Sequence, residues 1–175
     1  MRKLRMGMIG GGAGAFIGVI HRMAAIMDGE IELVCGAFSS DPKKSKDSGK
    51  DLSLDPSRVY DSFQEMIAKE KELPDDVKMD FVSIVTPNHV HFEPAKMAME
   101  NGFHVVLDKP MTFNSCRSER VKRGCTKDRK IFLSYSYIYR LSFGERSPCT
   151  GAKRQAWQYQ KNFGYLSAGM AQFFC

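Results

Sequence analysis

The glycine run near the start of the chain constrains the fold more than any other feature. Leu4–Ile9 is a short apolar stretch that leads directly into Gly10-Gly11-Gly12-Ala13-Gly14-Ala15-Phe16-Ile17-Gly18. Glycine tolerates left-handed backbone and leaves room for close approach, so a strand ending in this run must turn sharply. Apolar residues then recur at helical spacing (Phe16, Ile20, Met23, Ala24, Met27) and predict a helix that ends near Asp28-Gly29. Strand, glycine turn and helix in that order open a fold of parallel strands joined by helical crossovers.

The alternation continues. Glu30–Phe38 is a β-prone run, and Asp41-Pro42 is a helix entry with Asp41 as N-cap and Pro42 in the first helical position. Val59-Tyr60 predicts a short third strand, followed by a helix capped by Asp61 that points Phe63, Met66 and Ile67 inward. Met79–Thr86 is a continuous apolar strand of the kind buried on both faces of a parallel sheet. Glu93–Asn101 predicts a helix closed by Gly102, and Phe103–Leu107 a fifth strand. The expected fold over residues 1–114 is therefore α/β, a doubly wound parallel sheet with its ligand along the carboxyl edge of the strands.

That edge carries the candidate site. Gly10 and Gly12 let the backbone approach a pyrophosphate, which would sit against the amides of Ala13, Gly14, Ala15, Phe16 and Ile17 at the helix start. The spacing departs from G-x-G-x-x-G because Gly18 comes later than the place of the third glycine. An acidic residue normally closes the second strand and takes the ribose hydroxyls, but here the strand runs into Ser39-Ser40-Asp41 with Lys43 and Lys44 close by. Serines at the reading position permit a 2′-phosphate and so NADP. The other reading has Ser39 and Ser40 capping the next helix while Asp41 serves the ribose. Thr86, Pro87, Asn88 and His91 follow the fourth strand, where Thr86 and Asn88 can hydrogen-bond a ribose or phosphate. Asp108-Lys109-Pro110 follows the fifth, and Lys109 there can polarise a reacting hydroxyl. His89 and His91 have no partner pattern typical of metal ligands, so no metal is expected.

Taken together, GMIGGGAGAFIG with His21, GAFSSDP, VSIVTPNHVH and LDKP resemble the glucose–fructose oxidoreductase / inositol dehydrogenase (Gfo/Idh/MocA) family over residues 4–114. The resemblance implies a Rossmann domain that binds NAD(P), with Lys109 as the catalytic residue near the reacting carbon. It also implies a second α+β domain, which supplies a histidine and most of a pocket for a sugar-like substrate. The family's glutamate-lysine-proline motif is Asp108-Lys109-Pro110 here, a mild departure.

After Asn114 the composition changes. Residues 1–114 hold 14 Lys and Arg against 17 Asp and Glu, whereas 115–175 hold 12 against 3. Four of the five cysteines and the single Trp157 also fall in the second part. Ser115–Lys130 shows no apolar stripe at helical spacing. Read one nucleotide later, the codons of Trp157–Phe163 permit GNIRKI, those of Tyr135–Leu141 permit THTYTG, and Met170 forces a tryptophan. A frameshift near Asn114 would explain all three, leaving 115–175 as an out-of-frame tail in place of the second domain. Ile131–Ile138 is β-prone and could take the sixth-strand position by chance, with irregular structure beyond Arg140.

This reading expects a nucleotide-binding domain of a sugar or polyol oxidoreductase, inactive alone and prone to self-association through the apolar edge that a second domain would cover. The alternative is a non-catalytic binding module whose basic tail, with Tyr135, Tyr137, Tyr139 and Trp157, contacts nucleic acid or an acidic partner. No apolar run approaches the roughly 20 residues of a membrane span. The basic start breaks into glycines without a cleavage site, so a cytoplasmic location is expected.

Overall fold

The computed structural model describes residues 2–108 and the backbone of 132–134. Strands β1 (Leu4–Gly10), β2 (Ile31–Ala37), β3 (Phe81–Val85), β4 (His104–Leu107) and β5 (Phe132–Ser134) form one sheet in the order β2-β1-β3-β4-β5. Every pairing in it is parallel. Helices α1 (Phe16–Ile26), α2 (Pro42–Asp51), α3 (Phe63–Glu72) and α4 (Phe92–Glu100) connect the strands. The doubly wound α/β fold expected from the alternation is the fold observed.

Two apolar cores flank the sheet. One packs Met66 and Ile67 of α3 and Ala95, Ala98 and Met99 of α4 against Val82, Ile84, Val105 and Leu107. The other sets Ile20, Ala24 and Ala25 of α1 against Met6, Met8, Phe81 and Val85. β3, whose five residues are all buried, lies between them, and only Ser83 interrupts its apolar run.

The helix ends follow local chemistry. Asp41 caps α2, its carboxylate accepting from the Lys43 amide at 3.0 Å, with Pro42 in the first turn. Gly29 and Gly102 take the left-handed backbone that closes α1 and α4 (φ 73° and 91°). Three expectations need correction. Val59 makes only an isolated parallel bridge to Gly36, because this segment spends its polar groups on a short 3-10 turn at Pro56–Arg58. The cap of α3 is Ser62, whose hydroxyl accepts from the Glu65 amide at 3.2 Å, not Asp61. The inward face of α1 is turned from the one its largest apolar residues suggest. Gly18, Ile20, His21, Ala24 and Ala25 are buried, while Phe16, Met23 and Met27 lie 59%, 46% and 50% exposed. Glycine and alanine dominate the buried face of α1, with Ile20 and His21 beside them, while Phe16, Met23 and Met27 stay outside.

A charged cluster ties the amino end of β1 to that of β3. Asp80 accepts from both terminal guanidinium nitrogens of Arg2 at 2.7 Å and from the Arg5 amide at 2.8 Å, while its own amide donates to the Arg5 carbonyl. Burial pushes the Asp80 carboxyl up, but these donors outweigh it and hold it down at about 2. A carboxyl with a depressed folded pKa stabilises the fold above its unfolded pKa, near 4, and loses that contribution as pH falls toward 2. Urea denaturation midpoints should therefore drop between pH 5 and pH 2 more steeply in the native chain than in Asp80→Asn. Parallel pH dependences of the two proteins would rule out this role for Asp80.

Candidate functional site

The strand order reverses between β1 and β3, since the connection from β1 runs outward to β2 and that from β3 runs the other way to β4. Open α/β sheets bind ligands at such a switch point, beyond the carboxyl ends of the strands. A crevice of about 860 Å³ opens there. Its floor is the glycine turn after β1, one wall is Phe38–Ser40 with the first turns of α2, and the other wall is Thr86 and Pro87 after β3.

The turn is shaped by backbone that only glycine takes easily. Gly10, Gly11 and Gly14 have φ of 82°, 73° and 79°. A Cβ on Gly12 would stand 2.8 Å from the Ser48 hydroxyl, and one on Gly10 3.1 Å from the Thr86 methyl. Gly18 meets the backbone of Gly11, so α1 and the turn touch without side chains between them. It thus fills the place of the third glycine despite its late position. Arg22, one helical turn further on, donates to the Gly11 carbonyl at 2.7 Å and fixes the turn against α1. Burial lowers the pKa of that guanidinium.

The amides sort themselves. Gly12 N–H donates to the Phe38 carbonyl, Ala13 N–H to Ser48 Oγ at 3.0 Å, and Ala15 N–H to the Gly12 carbonyl. α1 itself starts without a side-chain cap and without an acidic residue in its first turn. Its positive end is left to an anion from outside. Thr86 supplies a second such opening: its hydroxyl oxygen is buried and has no hydrogen-bond partner among the described residues. A glycine cradle, an uncapped helix start and an orphaned hydroxyl around one cavity fit a dinucleotide pyrophosphate and ribose.

The residues expected at the site divide. Gly10, Gly12, Ala13, Ala15, Ser39, Ser40, Thr86 and Pro87 line the crevice. Gly14 stands clear, with no atom within 4 Å of a Cβ placed on it. Phe16 is exposed, Ile17 packs partly into the α1 core, and Asn88 starts a short 3-10 turn on the surface. His91 is fully buried and bonds through Nε2 to the Thr86 carbonyl at 2.7 Å, so it holds the wall rather than forming it. Lys43 does not line the crevice, whereas Lys44 does. Asp108 sits at the end of β4 with its carboxylate 3.9 Å from Nε2 of buried His21, whose other nitrogen meets Ser83 Oγ at 3.0 Å. Lys109 and Pro110 lie outside the described residues, as does everything expected of 115–131 and 135–175.

Sequence reasoning missed Ser48 and the Asp61–Gln64 segment, which closes the far end of the crevice. Ser48 is one of two serines in α2, and nothing in the sequence separates it from Ser45. Glu70, further along α3, bonds to Arg58 and Tyr60, the residues that lead into this segment. This fully buried carboxylate takes Arg58 Nε and Nη2 at 3.0 and 2.6 Å, the Tyr60 hydroxyl at 2.9 Å and the Met79 amide at 2.9 Å. Burial, and then the adjacent Glu70, raise the Tyr60 phenol above its ordinary range.

Fold and crevice together define a dinucleotide-binding α/β domain of the Rossmann type. The chain belongs to the Gfo/Idh/MocA oxidoreductase family with an NAD-binding Rossmann fold, whose model matches residues 4–136. The match runs past Asn114 and takes in β5, which continues the sheet in parallel beside β4. Among curated relatives, the uncharacterized oxidoreductase YfiI of Bacillus subtilis is 38% identical over 131 residues, which span 74% of this chain and 33% of that protein. Among solved structures, an oxidoreductase from Sinorhizobium meliloti is 43% identical with a TM-score of 0.72, the match spanning 78% of this chain and 38% of that one. An inositol dehydrogenase homolog from Azotobacter vinelandii, complexed with NADH and myo-inositol, is 35% identical with a TM-score of 0.74, over 78% and 36% of the two chains. The chain thus spans about a third of the length of these relatives. Among the described residues, no helix is long and apolar enough to cross a membrane.

Proposed function

We propose that this chain is the nucleotide-binding part of an oxidoreductase that transfers a hydride between a nicotinamide dinucleotide and a sugar or polyol carbon. The observation that carries the reading is the convergence of the glycine cradle, the uncapped start of α1 and the orphaned Thr86 hydroxyl on one crevice. The nicotinamide supplies the hydride chemistry when bound, and the protein supplies position and electrostatics. Gly10–Gly12 admit the pyrophosphate, the first turn of α1 offers it amides, and Thr86 offers a hydroxyl to a ribose. Lys109, which follows Asp108 at the end of β4, is the residue we assign to holding or moving the proton of the reacting hydroxyl. The inositol dehydrogenase homolog, with its bound polyol, supports the substrate class.

About two thirds of the relatives' length lies beyond what this chain matches. Titrating the 175-residue chain with NADH should show saturable enhancement of the cofactor's fluorescence, and mixtures with sugars or polyols and oxidised cofactor should show no reduction. Robust turnover would overturn the second statement, and absence of binding to NADH and NADPH alike the first. We also propose that the reading frame changes near Asn114. Sequencing independently prepared DNA from codon 105 onward tests this: a shifted frame open well past codon 175 is the expected result, and a shifted frame that closes at once refutes it.

A further inference from the structure

Building on the nucleotide-binding reading above, we propose that the ribose corner of the crevice is built for a 2′-phosphorylated dinucleotide, NADP rather than NAD, and that Lys44 selects it. An NAD-specific corner presents a strand-end carboxylate to the two ribose hydroxyls. Here β2 runs out into Ser39 and Ser40, which line the crevice, and the carboxylate that follows them in the chain is spent elsewhere. Asp41 accepts from the amides of Lys43 and Lys44 at 3.0 and 3.5 Å as the cap of α2, and it does not line the crevice. Ser39 Oγ accepts from the Asp41 amide at 3.1 Å, which leaves its own proton to donate.

The charges at this corner favour an anion. Lys44 lines the crevice on the same face of α2 as Ser48 and forms no ion pair among the described residues. Of the two carboxylates that line the crevice, Asp61 is held by Lys46 at 3.2 Å. Asp47, on the next turn of α2, is the other, and it stands exposed to solvent. A phosphate placed between an unpaired ammonium and two serine hydroxyls gains charge-assisted hydrogen bonds. A bare ribose at the same spot gains only neutral ones.

The test is calorimetric titration of the full 175-residue chain with NAD+ and with NADP+ at low salt. NADP+ should bind at least about tenfold more tightly, with the advantage shrinking as salt rises. Lys44→Ala should bring the ratio of the two affinities close to one, and Ser40→Asp should invert it. Both positions are exposed, so the variants should fold. NAD+ binding at least as tight as NADP+, a ratio that Lys44→Ala leaves in place, or an NAD+ preference that Asp47→Asn abolishes would each overturn this proposal while leaving the nucleotide-binding reading intact. Binding of neither dinucleotide would overturn both.

Discussion

Replacing Glu70 with alanine should cost about 3–5 kcal/mol of stability, the largest loss expected from any single substitution in the described part of the chain. The carboxylate is fully buried and satisfies four donors: two guanidinium nitrogens of Arg58, the Tyr60 hydroxyl and the Met79 amide. Alanine would leave a partly buried cation, a buried phenol and a buried backbone N–H without acceptors, and each such loss is expensive. Against a total stability of about 5–15 kcal/mol, the deficit should lower the melting temperature by about 10 °C or more. Glu70→Gln keeps the volume and an acceptor for Tyr60 or Met79 but loses the ion pair, so it should fall between the two. Tyr60, one of the four partners, leads directly into the crevice-lining Asp61–Gln64, so nucleotide affinity should fall along with stability. Thermal denaturation followed by circular dichroism reads the first effect. A loss below about 1 kcal/mol would show that the network does not hold this corner of the fold.

Gly18→Ala should abolish nucleotide binding, or weaken it at least about tenfold, while destabilising the fold by about 1–3 kcal/mol. In an ordinary exposed helix the same change would stabilise by up to about 1 kcal/mol, so the sign itself is diagnostic. The reason is contact with backbone: a Cβ at Gly18 would meet the Cα of Gly11 and stand 2.7 Å from its carbonyl oxygen. Backbone cannot rotate aside as a side chain does, so α1 would have to back away from the turn. That movement would break the Arg22 bond to Gly11 and withdraw the helix start from the crevice. Gly14→Ala is the comparison, because its Cβ would meet nothing within 4 Å and would carry only the strain of a φ of 79°. Gly18→Ala binding NADH as tightly as the native chain would show that close approach of α1 to the turn is not required.

How far the site could be read in advance varies residue by residue. Gly10, Gly12 and the serines of Ser39-Ser40 stood out because glycine after a strand, and a missing carboxylate after the next, have physical meaning in one dimension. Gly18 stood out only as a late third glycine, since its value lies in touching Gly11 across space. Lys43 and Lys44 are adjacent in sequence, and only the roll of α2 decides which one faces the crevice. The same holds for His91, which the fold buries under Thr86. Asp41 was left between two roles, and the geometry of the α2 start settled it as a cap.

The sequence by itself determined the parallel α/β architecture, the glycine turn at its head and the family, because hydrophobic period, helix punctuation and glycine placement are local properties carried along the chain. Tertiary structure decided which face of α1 lies inward, that Val59 makes a single bridge rather than a strand, and that Glu70 is buried at a junction of four donors. It also decided which of the two lysines lines the crevice. Each of these depends on how elements roll and press against one another, and packing distances between residues far apart in the chain leave no periodic trace in it.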